Sequence, residues 1–331
     1  MKMRVRWIGR WIGWIGLLLC SGVLIAQPHP VTLQIPVGAT FRFVAYGDTR
    51  FTDPSNTKAS NPEVRRKLVR AIAEEQPSFV SIGGDIAYEG ADANDWKIWD
   101  LETAIWRERA IPVFPALGNH DLKGDEKTAL ANYFARFPEI KNNRYYSVRA
   151  GNLLMLVLDS ALDETLGKQG AWLKGKLDSI PMDVDFVVIV LHHPPYTSSS
   201  DEKTFGGGHS ARLPERKLAR MLEKRQPHMR SRIVVISGHV HNYERHQHGG
   251  ITYFVTGGGA AHAYPIERRP GDLFQSNDIN YHYLLVEVDG RRLRITMHRL
   301  EMKDDQATWT EPDSWSTAAT ATGATLPEAK D

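Results

Sequence analysis

Five short polar segments of this chain each follow an apolar, strand-like run and carry side chains that can bind a metal ion. The apolar runs are 41–45, 79–82, 113–117, 186–190 and 233–236. The segments that follow them are Tyr46-Gly47-Asp48, Gly84-Asp85-Ile86-Ala87-Tyr88, Gly118-Asn119-His120-Asp121, Leu191-His192-His193-Pro194 and Gly238-His239-Val240-His241. Strands of one sheet end side by side, so these side chains can meet at one edge. The pattern predicts an α/β protein whose site lies at its strand ends.

The residue types in these segments predict which ions the site takes. Carboxylate, phenol, amide and imidazole groups without a thiolate suit Zn, Fe or Mn. The set has too many ligands for one open tetrahedral ion and favours two ions that share a carboxylate. Asp48 and Asp85 are the hard anionic candidates, and one of them can bridge. A lone Asp after a strand is otherwise a helix cap or a turn former, so the prediction depends on the whole set.

The spacing of the histidines predicts which of them face the site. His192 and His193 are adjacent, so in extended backbone they point to opposite sides. We assign His192 to the site and a structural role to His193. His239 and His241 are two residues apart, point the same way from an extended segment, and can serve one ion each.

Four further residues are candidates for catalysis or substrate binding. His120 can donate to a phosphoryl oxygen or protonate a leaving group, and Asp121 can orient its imidazole. Arg50 can pair with a substrate phosphate, with a surface salt bridge as the alternative. His209 lies in the Ser- and Gly-rich stretch 197–212, which we predict to be a mobile loop at the rim of the site.

The charge balance restricts the classes of molecule that the protein can bind. The chain of 331 residues has a formal net charge of +2, and the four basic residues among residues 1–26, where no acidic residue occurs, account for more than this excess. The rest of the chain therefore lacks the basic stripe that binding to nucleic acid or anionic lipid requires. We therefore expect no role for nucleic acid and a small molecule as the partner; the family resemblance described below implies that it is a phosphate ester.

The N-terminus has the pattern of an export signal, so we predict a periplasmic or extracellular protein. Residues 1–6 are basic, residues 11–26 are uncharged and mostly apolar, and Leu24-x-Ala26 is a weak cleavage site. As a helix the apolar run would span about 24 Å, which is short of the roughly 30 Å hydrocarbon layer. Membrane attachment is expected only if this segment is retained, and lipidation of Cys20 is an alternative.

Periodicity divides the remaining chain. We predict a signal peptide over 1–26, an extended leader over 27–40, one domain over 41–300 and a polar, flexible tail over 301–331. From Phe41 onward strands alternate with amphipathic helices, which we place at 62–76, 96–105, 130–137, 169–177 and 213–224. After Gly250 strands follow one another, which predicts mostly antiparallel pairing. Two mixed β-sheets covered by helices are the expected fold.

As an ordered set, the motifs resemble those of the calcineurin-type metallophosphoesterases, and within them the purple acid phosphatases. The shared pattern is Asp; Gly-Asp-x-x-Tyr; Gly-Asn-His-Asp/Glu; a strand-end His; and Gly-His-x-His, and the resemblance covers about residues 41–300. It implies an α/β fold in which two mixed β-sheets pack as a sandwich flanked by helices, a four-layer αββα arrangement. It also implies a ferric ion on Asp48, Tyr88 and His241, a bridging Asp85, and a divalent Fe, Zn or Mn on Asn119, His192 and His239.

One position departs from the family pattern. The broader superfamily has a His two residues after the first Asp, where this chain has Arg50. The purple type uses Tyr instead, which fits Tyr88 as a ligand, although a Tyr near a loop is otherwise a packed ring with a wet hydroxyl.

The predicted function is that of an exported, acid phosphatase-like enzyme that hydrolyses phosphate monoesters by attack of a metal-bound hydroxide. A phosphodiesterase or nucleotide pyrophosphatase with the same metal site is one alternative. A non-catalytic exported binding module stabilised by its metals is the other.

Overall fold

Two mixed β-sheets form the framework of the computed structural model, which describes residues 30–199, 209–303 and 306–319. The strands are β1 (Val31–Thr32), β2 (Phe41–Tyr46), β3 (Val80–Ile82), β4 (Val113–Pro115), β5 (Tyr146–Ala150), β6 (Leu153–Val157), β7 (Phe186–Leu191), β8 (Arg232–Ser237), β9 (Tyr243–His248), β10 (Ile251–Thr256), β11 (Tyr281–Asp289), β12 (Arg292–Lys303) and β13 (Gln306–Ala318). The helices are α1 (Pro62–Glu74), α2 (Ala93–Glu102), α3 (Ala104–Glu108), α4 (Glu126–Arg136), α5 (Gly167–Asp178) and α6 (Leu213–Arg225). The predicted fold class is confirmed.

The order of the strands brings several parallel strand ends to the same place. One sheet has the order β1-β5-β6-β7-β8-β10-β9, and the other β13-β12-β11-β2-β3-β4. Neighbouring strands from β6 to β7, β8 and β10 are parallel, as are β2, β3 and β4. The remaining strands extend the sheets mainly by antiparallel pairing. Since parallel strands end at one edge, both sheets present a row of carboxyl ends.

Burial on both faces explains the continuous apolar runs. In β7, Phe186, Val188 and Val190 belong to the core between the two sheets. The alternate residues Val187 and Ile189 pack instead into a second core with residues of α5 and α6. A strand covered on both sides needs apolar residues at every position, which is why β7 reads as an unbroken hydrophobic run.

Helices α1 and α6 begin where the sequence predicts, whereas α4 begins at Glu126 rather than at 130, and the predicted helix 96–105 is divided between α2 and α3. Asn61 caps α1, since its side chain accepts hydrogen bonds from the backbone N–H groups of Glu63 and Val64, both at 3.1 Å, and Pro62 occupies the first turn. The second helix starts slightly earlier than predicted, because Asp92 rather than Asp95 is its N-cap.

One expectation about the chain's organisation needs correction. The predicted flexible tail is wrong for residues 301–303 and 306–318, which complete β12 and form β13. These residues are polar because β13 is an edge strand and mostly exposed, while Trp315 packs against Phe254 at 5.7 Å between ring centroids. After Gly250 the pairing is mostly antiparallel, as predicted, and the one parallel pairing described there joins β10 to β8.

Only part of the N-terminal region for which we made predictions lies within the described residues. In the predicted leader, β1 pairs with β5, with Val31 opposite Val148. The predicted signal segment 1–26 and residues 320–331 lie outside the described residues. Within the described ranges, no helix is long and apolar enough to cross a membrane.

A buried carboxyl pair next to α6 makes stability depend on pH. Glu164 and Glu215 are both fully buried, and Glu215 pairs with Arg212. Burial, reinforced by the charge of Glu215, raises the pKa of Glu164 to about 8. The folded state therefore holds a proton that the unfolded chain loses near pH 4.3, so this group's favourable contribution is lost as pH rises toward 8.

We predict that Glu164→Gln stabilises the protein at pH 9 by up to about 5 kcal/mol, the equivalent of the pKa shift from about 4.3 to about 8, and has little effect at pH 4, because Gln cannot ionise. Urea unfolding at both pH values measures this difference. The exposed Glu139→Gln serves as the control and should change neither value. An equal effect of Glu164→Gln at pH 4 and pH 9 would contradict the assignment.

Candidate metal centre

The five polar segments meet at one end of the sandwich. Three follow β2, β3 and β4 of the six-stranded sheet, and two follow β7 and β8 of the seven-stranded sheet. We expected one sheet to supply them all, whereas both sheets contribute. A hydrogen bond joins the two halves directly, since the backbone N–H of His239 donates to Asp48 Oδ2 at 2.7 Å.

Glycines beside the candidate ligands let the loops approach one another closely. Gly84 has a φ of +91°, and a Cβ there would lie 2.7 Å from His192 Nδ1 and 2.8 Å from Gly118 N. A Cβ on Gly118 would lie 2.3 Å from Asp85 N. Only glycine fits these two positions, which accounts for the Gly that precedes several ligands in the sequence.

Four residues at the site hold a backbone conformation that non-glycine residues rarely adopt. Asp48, Arg50, Asp85 and His239 have φ values of 59°, 43°, 53° and 70°. Hydrogen bonds between segments hold this geometry, among them Asp48 N to Gly84 O at 3.0 Å and Arg50 N to Asp85 O at 2.9 Å. Such left-handed residues concentrate at functional sites, where the surrounding structure enforces them.

The first group of candidate ligands is Asp48, Asp85 and His241, whose ligand atoms lie within 4.8 Å of one another. His241 Nδ1 donates to the carbonyl oxygen of His262 at 2.7 Å, so its Nε2 lone pair faces the site. That Nε2 lies 3.6 Å from Asp48 Oδ1. Both atoms are buried and have no hydrogen-bond partner among the described residues. A cation would satisfy both lone pairs, so this group fits a metal ion.

The second group converges on His192. Its Nε2 lies 3.0 Å from Asn119 Oδ1, 3.1 Å from His239 Nδ1 and 3.4 Å from Asp85 Oδ1. Its Nδ1 donates to the Gly83 carbonyl oxygen at 2.8 Å, which aims Nε2 at these atoms. Asp85 touches both groups, as a bridging carboxylate must.

His193 lies closer to this second group than we expected. Its ligand atom is within 4.8 Å of those of His192 and His239, and its ring centroid is 4.3 Å from that of His239. The chain bends directly after β7, so the alternation of an extended strand no longer separates the two rings. His193 also keeps a supporting contact, with Nδ1 2.8 Å from Ser160 Oγ.

The electrostatics suit cation binding. Burial and the neighbouring charge of Asp85 raise the pKa of Asp48 well above its usual value. Burial acts in the same direction on Asp85, but His192, His120 and Arg50 outweigh it and lower the pKa of that carboxyl. Burial also lowers the pKa values of His192 and His241, which keeps both imidazoles in the neutral form that binds metals.

His120 lies at the edge of this cluster, half-buried. Its backbone N–H donates to Asp85 Oδ1 at 2.8 Å, and its Nδ1 donates to the Tyr88 carbonyl oxygen at 2.6 Å. The ring is thus oriented by a backbone carbonyl, and Nε2 is the nitrogen left to face a substrate.

The predicted role of Asp121 in orienting His120 is therefore wrong. The Asp121 carboxylate is fully buried and accepts from the backbone N–H groups of Ile86 at 2.8 Å, Ala87 at 3.2 Å and Gly118 at 2.9 Å. It holds together the segments that follow β3 and β4.

The remaining candidates surround the two groups. The Tyr88 ring lies 4.2 Å from Lys123 Nζ and 5.4 Å from the His120 ring, and metal ligation by its hydroxyl stays a prediction. Arg50 pairs with Asp85, with Nη2 3.1 Å from Oδ2. The His209 ring centroid is 4.9 Å from that of His239 and 5.5 Å from that of His241, so the structure places this residue at the cluster.

Sequence reasoning missed Tyr264. Its hydroxyl accepts a hydrogen bond from His241 N at 3.1 Å, and its ring centroid is 5.2 Å from that of His209. Tyr264 lies in irregular backbone between β10 and β11, where no strand end or ligand spacing marks it. Tyr264 therefore adds a second aromatic ring, beside that of His209, at the edge of the cluster.

Solved structures with this fold include several phosphatases. A purple acid phosphatase from yellow lupin (Lupinus luteus) matches at a TM-score of 0.62 and 18% identity, over 88% of this chain and 55% of that protein. PhoD matches at 0.62 and 14% identity, over 87% and 72% of the two chains. GAP50 of Plasmodium, described as the anchor in the inner membrane complex, matches at 0.57 and 17% identity, over 86% and 90%. The chain thus spans about half the length of the lupin enzyme, and the likeness at these identities concerns the fold.

The family assignment rests on the sequence itself. The model of the calcineurin-like phosphoesterase family matches residues 41–243, which hold all five polar segments. This confirms the predicted resemblance, and the family's description as phosphoesterases agrees with the prediction of a hydrolase that acts on phosphate esters. The chain belongs to the calcineurin-like phosphoesterase family.

Proposed function

We propose that this protein hydrolyses phosphate monoesters at a two-metal centre formed by Asp48, Asp85 and His241 on one side and Asn119, His192 and His239 on the other. The observation that carries the proposal is that Asp48 Oδ1 and His241 Nε2 are buried and have no hydrogen-bond partner in the part of the chain that the structure describes. Four further ligand atoms converge beside them, from Asp85, Asn119, His192 and His239. Bound ions would supply Lewis-acid polarisation of the phosphoryl oxygens and activation of a water nucleophile.

The chain's own residues supply proton transfer and substrate orientation. His120 donates a proton to the leaving group from Nε2 of its imidazolium form, because Nδ1–H is committed to the Tyr88 carbonyl. Burial lowers the pKa of this imidazole, so the donor form is favoured at acidic pH. Arg50 and His209 flank the ligands and add donors for the substrate phosphate. A monoester carries more negative charge than a diester, so these extra donors favour the monoester.

The proposed metals are a ferric ion, with Tyr88 as its phenolate ligand, and a divalent Fe, Zn or Mn. Support comes from the Gly-Asp-x-x-Tyr motif and from the absence of a His two residues after Asp48. Elemental analysis and visible absorption of the purified protein test this part. An active, colourless protein without iron would contradict the ferric assignment and leave the phosphoesterase proposal standing.

Removal of the metals should abolish hydrolysis. We expect dialysis against a chelator to lower the rate on p-nitrophenyl phosphate by more than about 1000-fold, and Fe, Zn or Mn to restore it, because the ions supply the main electrostatic stabilisation. The same preparation should hydrolyse bis-p-nitrophenyl phosphate more slowly. Unchanged activity in the metal-free protein would contradict the proposal, and a faster diester rate would contradict the monoester preference.

Export is also part of the proposal, on the basis of the basic and apolar residues 1–26. Cell fractionation with N-terminal sequencing of the mature protein tests it. A cytoplasmic protein that retains residues 1–26 would contradict it.

A further inference from the structure

Arg50 occupies one side of the carboxylate that would bridge the two ions. Its Nη2 and Nε lie 3.1 and 3.4 Å from Asp85 Oδ2. The other oxygen, Oδ1, accepts from the backbone N–H of His120 at 2.8 Å and lies 3.4 Å from His192 Nε2. The two oxygens of Asp85 are thus divided, one facing the second group of ligands and the other facing a guanidinium.

The backbone holds this arginine in position. Arg50 is one of the left-handed residues of the site, with its N–H donating to the Asp85 carbonyl oxygen at 2.9 Å. Its own carbonyl oxygen accepts from Ser60 Oγ at 3.1 Å and Arg65 Nη1 at 3.2 Å. The side chain is only 14% exposed. These contacts distinguish Arg50 from a loosely held surface arginine, because the backbone itself aims the side chain at Asp85.

We propose that the guanidinium of Arg50 is a permanent positive charge within the metal centre and makes the two sites differ in their affinity for metal ions. The site on Asn119, His192, His239 and Asp85 Oδ1 binds one ion tightly. The site on Asp48 and His241 binds its ion more weakly, because that ion must displace the guanidinium from Asp85 Oδ2. This inference rests on the proposed two-metal function and adds the order in which the ions bind.

Two physical properties of arginine support a difference in metal affinity between the two sites. A guanidinium stays charged at any working pH, so it does not give way to a metal by losing a proton. A divalent ion beside it is also repelled by its charge, and in a buried site this repulsion is only weakly screened. Apart from Asp85, a divalent ion at this site has the carboxylate of Asp48 and the imidazole of His241, since the proposed Tyr88 phenolate is a ligand for a ferric ion. Oδ1 of Asp85 faces His192 and Oδ2 faces Arg50, so for Mn²⁺ the competition for Asp85 falls mainly on this ion.

Titration of the chelator-treated full-length protein with Mn²⁺ by calorimetry tests the proposal without measuring activity. We expect one tight site and a second site at least about tenfold weaker, a difference of about 1.4 kcal/mol. Arg50→Gln should tighten the second site by about tenfold and change the first by less than about twofold. Arg50→Lys keeps the positive charge and should stay close to the wild type.

Arg230→Gln is the matched control. Arg230 is 19% exposed and pairs with Asp185 at 2.7 Å, next to the starts of β7 and β8 at the opposite end of the sheet. This variant should leave both Mn²⁺ affinities at the wild-type values. The comparison shows whether a change in Mn²⁺ affinity is specific to the arginine at Asp85 or follows the loss of any largely buried arginine–carboxylate pair.

The outcomes are distinct. Two equal affinities in the wild type, or an unchanged second site in Arg50→Gln, overturn this inference and leave the proposed function intact. A wild type that binds no Mn²⁺, Zn²⁺ or Fe overturns the proposed function together with it. If Arg50→Gln does not fold, the two affinities of the wild type and the result for Arg50→Lys decide.

Discussion

Replacement of Asp85 by alanine is expected to remove metal binding and hydrolysis together, with a loss of activity of more than about 1000-fold. Asp85 is the carboxylate that reaches both groups of ligands, through the 3.4 Å approach to His192 Nε2 and its place in the group with Asp48 and His241. The alanine side chain has no oxygen atom, so both contacts are lost at once. Elemental analysis and the rate on p-nitrophenyl phosphate measure the two losses.

The fold of this variant needs its own check. The substitution leaves the guanidinium of Arg50 without its buried partner, and such a change typically costs about 3–5 kcal/mol of stability. Asp85→Asn keeps the shape of the side chain and serves as the second variant. Asp185→Ala is the matched control, because Asp185 also pairs with an arginine but lies at the opposite end of the sheet. Normal hydrolysis by folded Asp85→Ala would end the two-metal proposal.

The parts of the fold that the sequence predicts well are those buried on both faces. Strands such as β7 and β8 read as unbroken apolar runs because one face packs on the other sheet and one on helices. The start of α1 could be predicted equally well, since its cap Asn61 marks it, whereas α2 and α4 begin three and four residues before their predicted starts of 96 and 130. The candidate ligands could be found because the loops that carry them pass so close that glycines such as Gly84 and Gly118 must stand beside them.

The parts that the sequence did not predict depend on contacts between distant segments. β13 is polar and mostly exposed, so its composition resembles a flexible tail, yet it is ordered by pairing along β12. The carboxylate of Asp121 binds the backbone of two loops, and no local pattern distinguishes this from a bond to the neighbouring imidazole. Tyr264 reaches the site from irregular backbone, where periodicity carries no information.

Arg50 is a residue whose importance could be predicted from the sequence but whose contact could not. Its identity at a position where the superfamily has a His was visible in the sequence as a departure from the motif. Its partner was not, because a guanidinium on a strand-end loop can equally face solvent, a substrate phosphate or a buried carboxylate. The left-handed backbone of Arg50 and Asp85 brings Nε and Nη2 to the buried carboxylate, so the proposed contact with a substrate phosphate falls to Nη1.

His120→Ala is expected to keep both metal sites and to lower kcat by about 100- to 1000-fold, with a smaller change in KM. The imidazole contributes no atom to either group of ligands, and its ring is fixed by the Tyr88 carbonyl. Its backbone N–H, which donates to Asp85 Oδ1, is retained in the variant. Elemental analysis should therefore give the wild-type metal content.

The dependence on the leaving group separates proton donation from a structural role. A p-nitrophenolate departs with little help from an acid, whereas an alkoxide needs a proton as the bond to phosphorus breaks. The loss in His120→Ala should thus be at least about tenfold larger for an alkyl phosphate than for p-nitrophenyl phosphate. Lys123→Gln, which alters the same turn near the Tyr88 ring, should change both rates equally if at all. An equal loss on both esters in His120→Ala would assign the imidazole to substrate positioning, because an acid catalyst cannot be equally important for a good and a poor leaving group.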